Sequence, residues 1–505
     1  MLLAAKGGGI TFAGKLFTFG CRLVITFLLA RLLGSEHYGL YNLSLTTLTV
    51  IAALAALGLD TAMVRYIAMF AQRRDDARVW GTIQLGLGVT VALSLWLGGG
   101  LYLLSDVIAV RIFHEPRLGP LLRLASAVVP FLTLSNVIAA ATQGFKKMQY
   151  ATLARDVTQP LLRLLLIAGL IVVGVSAAGA LVIYGLAVAI SAAMLLSFLH
   201  RRLFSLRRAP GTARRESREI FQFALPVFFS DLMTTFRDNV QTLLLGALNT
   251  VSSVGVFAVA NQLNMVGSMF QSAVATAARP IIAELYDQGK WAQMGRIYQT
   301  TTKWSFMLNL PIFLTIVLFP SQILAIFGES YVVGSPALVL LACGIMVDIS
   351  TGMCGIILDM TGHAGWKLIN SIIRLGISLG LSALLIPPWG VMGAATSALV
   401  AVGTINLLRM IQVYSLFRLL PYDASFAKPI LAGLVAIGLA KLGQLLPAPS
   451  GISTFIQIVV LFAVYAGAIL RLGLSPEDRM VLARLRTRLG SRLARRGKHD
   501  HQPQA

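Results

Sequence analysis

The stretch Arg201–Arg218 reads RRLFSLRRAPGTARRESR, seven arginines against the single acid Glu216. It lies between two long apolar territories. An arginine run of this kind attracts phosphate, whether on a nucleic acid or at a lipid surface. The rest of the chain decides between the two. Of 505 residues, 57% are hydrophobic and only 12% charged, where a soluble domain carries roughly 25% charged residues. So few charges cannot cover the surface of a soluble protein this long. The composition points to one all-α polytopic membrane protein. The net charge of +22 then belongs to its loops, and the positive-inside rule accounts for it with no nucleic-acid partner.

A bilayer-spanning helix needs about 20 mostly apolar residues, and by that rule about fourteen spans fit between Ile10 and Leu470. Span one covers Ile10–Arg31, span two Tyr41–Leu59, span seven Ile220–Leu245, span eleven Leu368–Ile386 and span twelve Met392–Tyr414. The first apolar run follows MLLAAKGGGITFAGK, which lacks a signal-peptide cleavage pattern, so it is expected to be retained. Basic residues then fall in alternate loops. Arg65, Arg73, Arg74 and Arg78 follow span two, Lys146 and Lys147 follow span four, and Arg201–Arg218 follows span six. The intervening loops Gly174–Ser176, Asn249–Ser253, Pro387–Gly390 and Pro447–Gly451 hold no Lys or Arg. Only Asp106–Arg123 mixes signs. The alternation predicts both termini on the cytoplasmic side.

The two territories repeat. LLGSEHYGLYN echoes LLGALNTVSSVGVFAVAN, QGFKKM at Gln143–Met148 echoes TGHAGWK at Thr361–Lys367, and Gly39 pairs with Gly255, all at offsets close to 214 residues. Six spans per half bring both halves into the membrane the same way, with a pseudo-two-fold along the membrane normal and a cavity between two lobes. The expected organisation is an N-terminal six-helix lobe (1–200), a basic cytoplasmic linker (201–218), a C-terminal six-helix lobe (219–420), two further transmembrane helices (421–471) and a basic tail (472–505). The Ala209-Pro210-Gly211 break suits a flexible connector between lobes. In the tail, Ser475-Pro476-Glu477-Asp478 opens a helix whose leucine stripe is ringed by arginines, a pattern that lies on anionic membrane lipids.

The run LLARLLGSEHYGLYNLSLTTLTVIAALAALGLDTAMVRYIA resembles the opening of bacterial lipid-linked oligosaccharide flippases. These are the polysaccharide-biosynthesis branch of the multidrug/oligosaccharidyl-lipid/polysaccharide exporter superfamily. FRDNVQTLLLG at Phe236–Gly246 and ILDMTGHAGWK at Ile357–Lys367 extend the resemblance over nearly the whole chain. It implies a MATE-like fold of two V-shaped lobes. It also implies export of a polyprenyl-pyrophosphate-linked oligosaccharide, such as an O-antigen or exopolysaccharide unit, across the bacterial inner membrane. A polysaccharide polymerase and assembly proteins would be partners. A lipid II-type peptidoglycan flippase is the alternative, and a MATE-like drug/cation antiporter the second alternative. Span one carries no Asp or Glu, which counts against the antiporter.

No catalytic constellation, cofactor motif or metal spacing appears, so no enzyme is expected. Cys21, Cys343 and Cys354 all lie in apolar segments and imply no disulfide framework. The informative residues are charges inside spans, which cost at least about 2.5–3.5 kcal/mol there and need a cavity or a partner. Arg22, Arg163, Arg237 and Arg374 are the candidates for a pyrophosphate site, because guanidinium forks bind phosphate oxygens bidentately and stay charged. Arg163 and Arg374 can equally serve internal ion pairs. Arg237 and Asp238, being adjacent on a helix, are expected to take different partners. Asn261, Asn264 and Gln241 are candidates for sugar hydroxyls; Asn261 and Asn264 share a helical face and can equally bond between helices. Asp60, Asp348 and Asp359 are candidates for ion coupling, with ion pairing as the competing role.

Overall fold

The computed structural model describes residues 2–204, 213–214, 216–443 and 450–471. The expected basic tail helix and the Ala209–Gly211 break lie outside them. Among the described residues every regular element is a helix. In order these are α1 (Leu2–Ala56), α2 (Leu59–Gln72), α3 (Asp76–Val107), α4 (Leu118–Gly144), the single turn α5 (Met148–Ala151), α6 (Gln159–Val173), α7 (Ala177–Phe198) and α8 (Ser217–Leu248). There follow α9 (Val251–Asp287), α10 (Trp291–Leu318), the short α11 (Pro320–Ala325), α12 (Ser335–Thr351), α13 (Cys354–Met360), α14 (Ala364–Phe417), α15 (Ala427–Gly443) and α16 (Ser450–Arg471).

Among the described residues eight helices are long and apolar enough to cross a membrane. The chain is thus a multi-pass, all-α membrane protein. Two of the eight, Ala13–Ala56 and Gly365–Phe417, each hold two of the expected spans. They are broken by non-helical backbone at Gly34 (φ 70°, ψ 172°) and Gly390 (φ 51°, ψ −123°). Glycine reaches these angles without a Cβ penalty, so the chain turns where the two spans meet. Each of the other six holds one expected span. The remaining four spans fall on helices that are shorter, α6 with 15 residues and α15 with 17, or more polar, α8 and α9. Helix α8 carries Glu219, Asp231, Arg237 and Asp238. The charges of functional interest are what lower its apolar character.

The backbone repeats at the spacing the sequence shows. Positive φ recurs at Arg74 and Gly289, at His114 and Gly328, at Lys146 and Gly362, and at Gly174 and Gly390, each pair about 215 residues apart. The matched glycines Gly39 and Gly255 also meet each other. A Cβ on Gly39 would collide with the Val251 carbonyl, and one on Gly255 with the Ser35 carbonyl. One turn away, the Ser35 and Ser252 hydroxyls hydrogen-bond at 2.8 Å. Such small residues let helix backbones approach closely where lipid removes the hydrophobic drive for association.

The chain forms two compact units. The first comprises Met1–Val266, Pro320–Ile345 and Ala364–Ile405; the second comprises Gly267–Phe319, Met346–His363 and Asn406–Ala505. The core of the first packs α2, α3, α4, α7 and the start of α8 around Tyr66, Phe70, Ile67 and Ile83. Both described ends of the basic stretch are fastened to this core. Phe204 stacks on Trp80 and Phe145 at 6.0 and 6.4 Å between centroids. The Arg214 N–H donates to the Ala77 carbonyl at 3.2 Å, and Glu216 pairs with Arg78 at 3.1 Å. The stretch expected as a flexible connector is tied at its described ends to the start of α3 and the end of α4. In the second unit the core gathers around Tyr298, whose hydroxyl donates to the Thr351 carbonyl at 2.8 Å.

Candidate functional site

The first cluster grows from the contact between α1 and the segment before α6. Gly14 makes it possible, since a Cβ there would strike the Thr152 methyl. Thr18 then donates to the Asp156 carbonyl at 2.7 Å. Arg22 lies one turn beyond Thr18, and Arg163 two turns beyond Asp156, so the two arginines follow one interface. The Arg163 guanidinium donates from Nη2 to the Tyr41 hydroxyl at 2.6 Å. It also sits over the Tyr184 ring, 4.9 Å from the centroid. Tyr41 is 2% exposed. Arg22 and Arg155 join Arg163 within electrostatic reach of Tyr184. The Arg163 Nε is buried and has no hydrogen-bond partner. A cation held on an aromatic face gains about 0.5–2 kcal/mol, and it keeps an N–H donor in reserve.

Of the four candidate arginines, Arg22 and Arg163 are brought together. Arg237 is not free to seek a distant partner: its Nε bonds the adjacent Asp238 Oδ1 at 2.8 Å. The expectation of separate partners fails because the long arginine stem lets the head fold back along the helix, although the two Cα–Cβ bonds diverge. Arg374 is half-buried on α14 and engaged in an interaction of its own.

The polar candidates divide. Asn264 is buried, and its amide donates to the Ala260 carbonyl at 2.9 Å and toward the Leu338 carbonyl at 3.5 Å. Asn261 is exposed. Positions three apart on a helix differ by about 60°, enough to put one inside a packed stripe and the other outside. Gln241 is buried on α8.

The carboxylates form two further groups. Asp60, at the start of α2, accepts from the Thr61 N–H at 2.8 Å. It lies within electrostatic reach of Asp231 on α8. In the second unit, Asp348 Oδ1 accepts from the Asn406 amide at 2.7 Å, and its carbonyl accepts from Gln271 at 3.3 Å. Arg409 lies close by, its guanidinium 3.6 Å from where a Cβ on Gly355 would sit. Asp359 is half-buried on α13 and engaged. Among the described residues no three His, Cys, Asp or Glu groups gather as a metal-ligand set.

Sequence reasoning missed Tyr41, Tyr184, Asn406, Arg409 and the buried Lys303. Arg409 was findable as an arginine inside an expected span. The tyrosines were not, because an aromatic in a membrane helix reads as lipid-facing or core until its partner is seen.

The fold is that of a polytopic membrane protein of the superfamily with multidrug and polysaccharide branches. The chain belongs to the polysaccharide biosynthesis protein family, whose model matches residues 4–286; a MatE family model matches residues 226–384. The Stage V sporulation protein B of Bacillus subtilis is 22% identical over 85% of this chain and 88% of its own length. A probable low-salt glycan biosynthesis flippase of Haloferax volcanii is 23% identical over 36% of this chain and 39% of its own. Among solved structures, the lipid II flippase MurJ in an inward closed conformation has the same fold. Its TM-score is 0.72 at 14% identity, over 92% of this chain and 98% of that one.

Proposed function

We propose that this protein is a flippase that moves a polyprenyl-pyrophosphate-linked oligosaccharide from the cytoplasmic to the outer leaflet of the bacterial inner membrane. Alternating access of the lobes 1–200 and 219–420 carries the substrate, and both termini are cytoplasmic. The observation that carries this reading is the Arg163 cluster. A pyrophosphate crossing a low-dielectric zone needs cations that stay charged and whose forks match its oxygens. Arg22 and Arg163 meet that need on a floor of tyrosines. Arg374 and Arg237 serve the same headgroup from the other repeat, Arg237 after exchanging Asp238 for phosphate. The sugars take hydrogen bonds from Gln241 and Asn261.

The chemical step is translocation, so the protein is a transporter and not an enzyme. Asp60, Asp348 and Asp359 are the groups that couple it to an ion gradient. The Ser35–Ser252 and Gly39–Gly255 contact is the seal on the outer side. The basic loops rest on anionic lipid, and a polymerase consumes the delivered glycan.

The test is complementation of a strain lacking its own O-antigen flippase. The wild-type chain restores surface glycan, while Arg22→Ala and Arg163→Ala, at equal membrane abundance, do not. Full export by both variants would overturn the headgroup assignment. Rescue of a lipid II flippase mutant in place of the glycan strain would move the substrate to the peptidoglycan precursor.

A further inference from the structure

At the end of the first unit that carries Gly34, three segments line a cavity of about 400 Å³ that is open to the surface. Glu36 comes from α1, His114 and Glu115 from the corner before α4, Asn249 and Thr250 from the break before α9, and Val251 and Ser252 from its first turn. Phe113 completes the wall. Nothing assigned so far to the pyrophosphate or to ion coupling lies here.

The chemistry of the lining selects a ligand. Arg117 bridges the two carboxylates, bonding Glu36 at 2.5 Å and Glu115 at 2.8 and 2.9 Å. Their charge is thereby partly balanced, yet an ionised carboxylate offers about four acceptor sites and retains several. An amide, an imidazole and two hydroxyls supply donors as well as acceptors. A second anion is disfavoured beside two carboxylates, and a metal finds no ligand set among the described residues. This mix of carboxylate, amide, imidazole and hydroxyl groups suits a neutral molecule rich in hydroxyl groups, which can both donate and accept. The volume falls in the usual range for a small-ligand site.

We propose that this cavity is a saccharide subsite on the outer face, holding one sugar of the glycan by its hydroxyls. The proposal rests on the flippase reading above. Ser252 gives it a consequence for transport. Its hydroxyl lines the cavity and also makes the 2.8 Å bond to Ser35. A sugar hydroxyl that claims Ser252 competes with the seal, so occupancy favours its opening. The subsite therefore senses glycan at the outer mouth.

The experiment places a single cysteine at Thr250, with Cys21, Cys343 and Cys354 replaced by alanine. Its reaction with a membrane-impermeant maleimide is followed on intact cells. The probe is the oligosaccharide released by mild acid from the host's own lipid-linked pool. Added outside, it slows labelling about fivefold, as for a site four-fifths occupied. Inorganic pyrophosphate does not, and Asn249→Ala in the same background removes the protection while the cysteine still labels. Unchanged labelling with the oligosaccharide, equal protection by pyrophosphate, or full protection in the Asn249→Ala chain would each overturn the subsite. Export by the wild-type chain is scored in parallel. Export without protection rejects the subsite alone, whereas loss of the flippase reading shows as failed complementation.

Discussion

The Arg163 cluster and the Asp348 cluster solve the same problem in opposite ways. Both place a formal charge inside a helical bundle. Arg163 is held by a phenol and an aromatic face, and its Nε keeps an unused donor. Asp348 is held by a neutral amide from Asn406 and bonds through its backbone as well. The first arrangement stabilises a cation while leaving it short of an anion. The second satisfies a carboxylate through a neutral amide, with the Arg409 guanidinium nearby.

That contrast can be broken most directly at Arg163. Arg163→Ala should lower glycan export about tenfold to a hundredfold, the equivalent of one charge-assisted hydrogen bond. Arg163→Lys should not rescue it, because an ammonium lacks the planar fork. Surface glycan per cell at matched protein level is the readout, and rescue by lysine would reduce the site to a simple point charge. Tyr41→Phe removes only the phenol that orients Arg163. Export should fall about twofold to tenfold, consistent with a hydrogen bond worth about 0.5–1.5 kcal/mol. An unchanged rate would mean that Tyr184 alone suffices.

Asp348→Asn preserves an acceptor for Asn406, so the thermal midpoint in detergent should move by only a few degrees. Its signature should be export that no longer responds when the ion gradient is collapsed. A variant that keeps the wild-type response would remove Asp348 from coupling and leave it structural. The smallest effect belongs to the exposed Arg117–Glu115 pair, which serves as a control outside both clusters. The Arg117 hydrogen bond holds the Glu115 carboxyl below its usual range. Its contribution to stability is therefore complete above the unfolded carboxylate value of about 4.3 and is lost as pH falls through the lower folded value. The thermal midpoint of Glu115→Gln should track that of the wild type from pH 6 to 8 to within about a degree, and the two should converge in acid.

How much of this was legible beforehand follows from range. Charges in apolar runs, bare loops and glycine spacing are local or periodic, so the intramembrane positions of Arg22 and Arg163, the Gly39–Gly255 match and the all-α membrane fold could be read from the chain. The partners could not. Tyr41 and Arg163 are 122 positions apart, and Asp348 and Asn406 are 58 apart; neither pairing has a local signature. Asn264 and Arg237 show the converse. Their residue types suggested a distant partner, whereas Asn264 donates to the Ala260 carbonyl and Arg237 bonds its neighbour Asp238.

The left-handed backbone stations carry one more implication. At three of the four matched positions the second half uses glycine, whereas the first half uses Arg74, His114 and Lys146. An L-residue there costs roughly 1–2 kcal/mol, while glycine in the unfolded chain recovers about 0.5–1 kcal/mol of that advantage as entropy. The first repeat therefore holds a modest reserve of heat tolerance, open to Arg74→Gly and Lys146→Gly and already spent in its twin. A protein handled in detergent, where every degree lengthens its working life, offers these two corners as the places to begin.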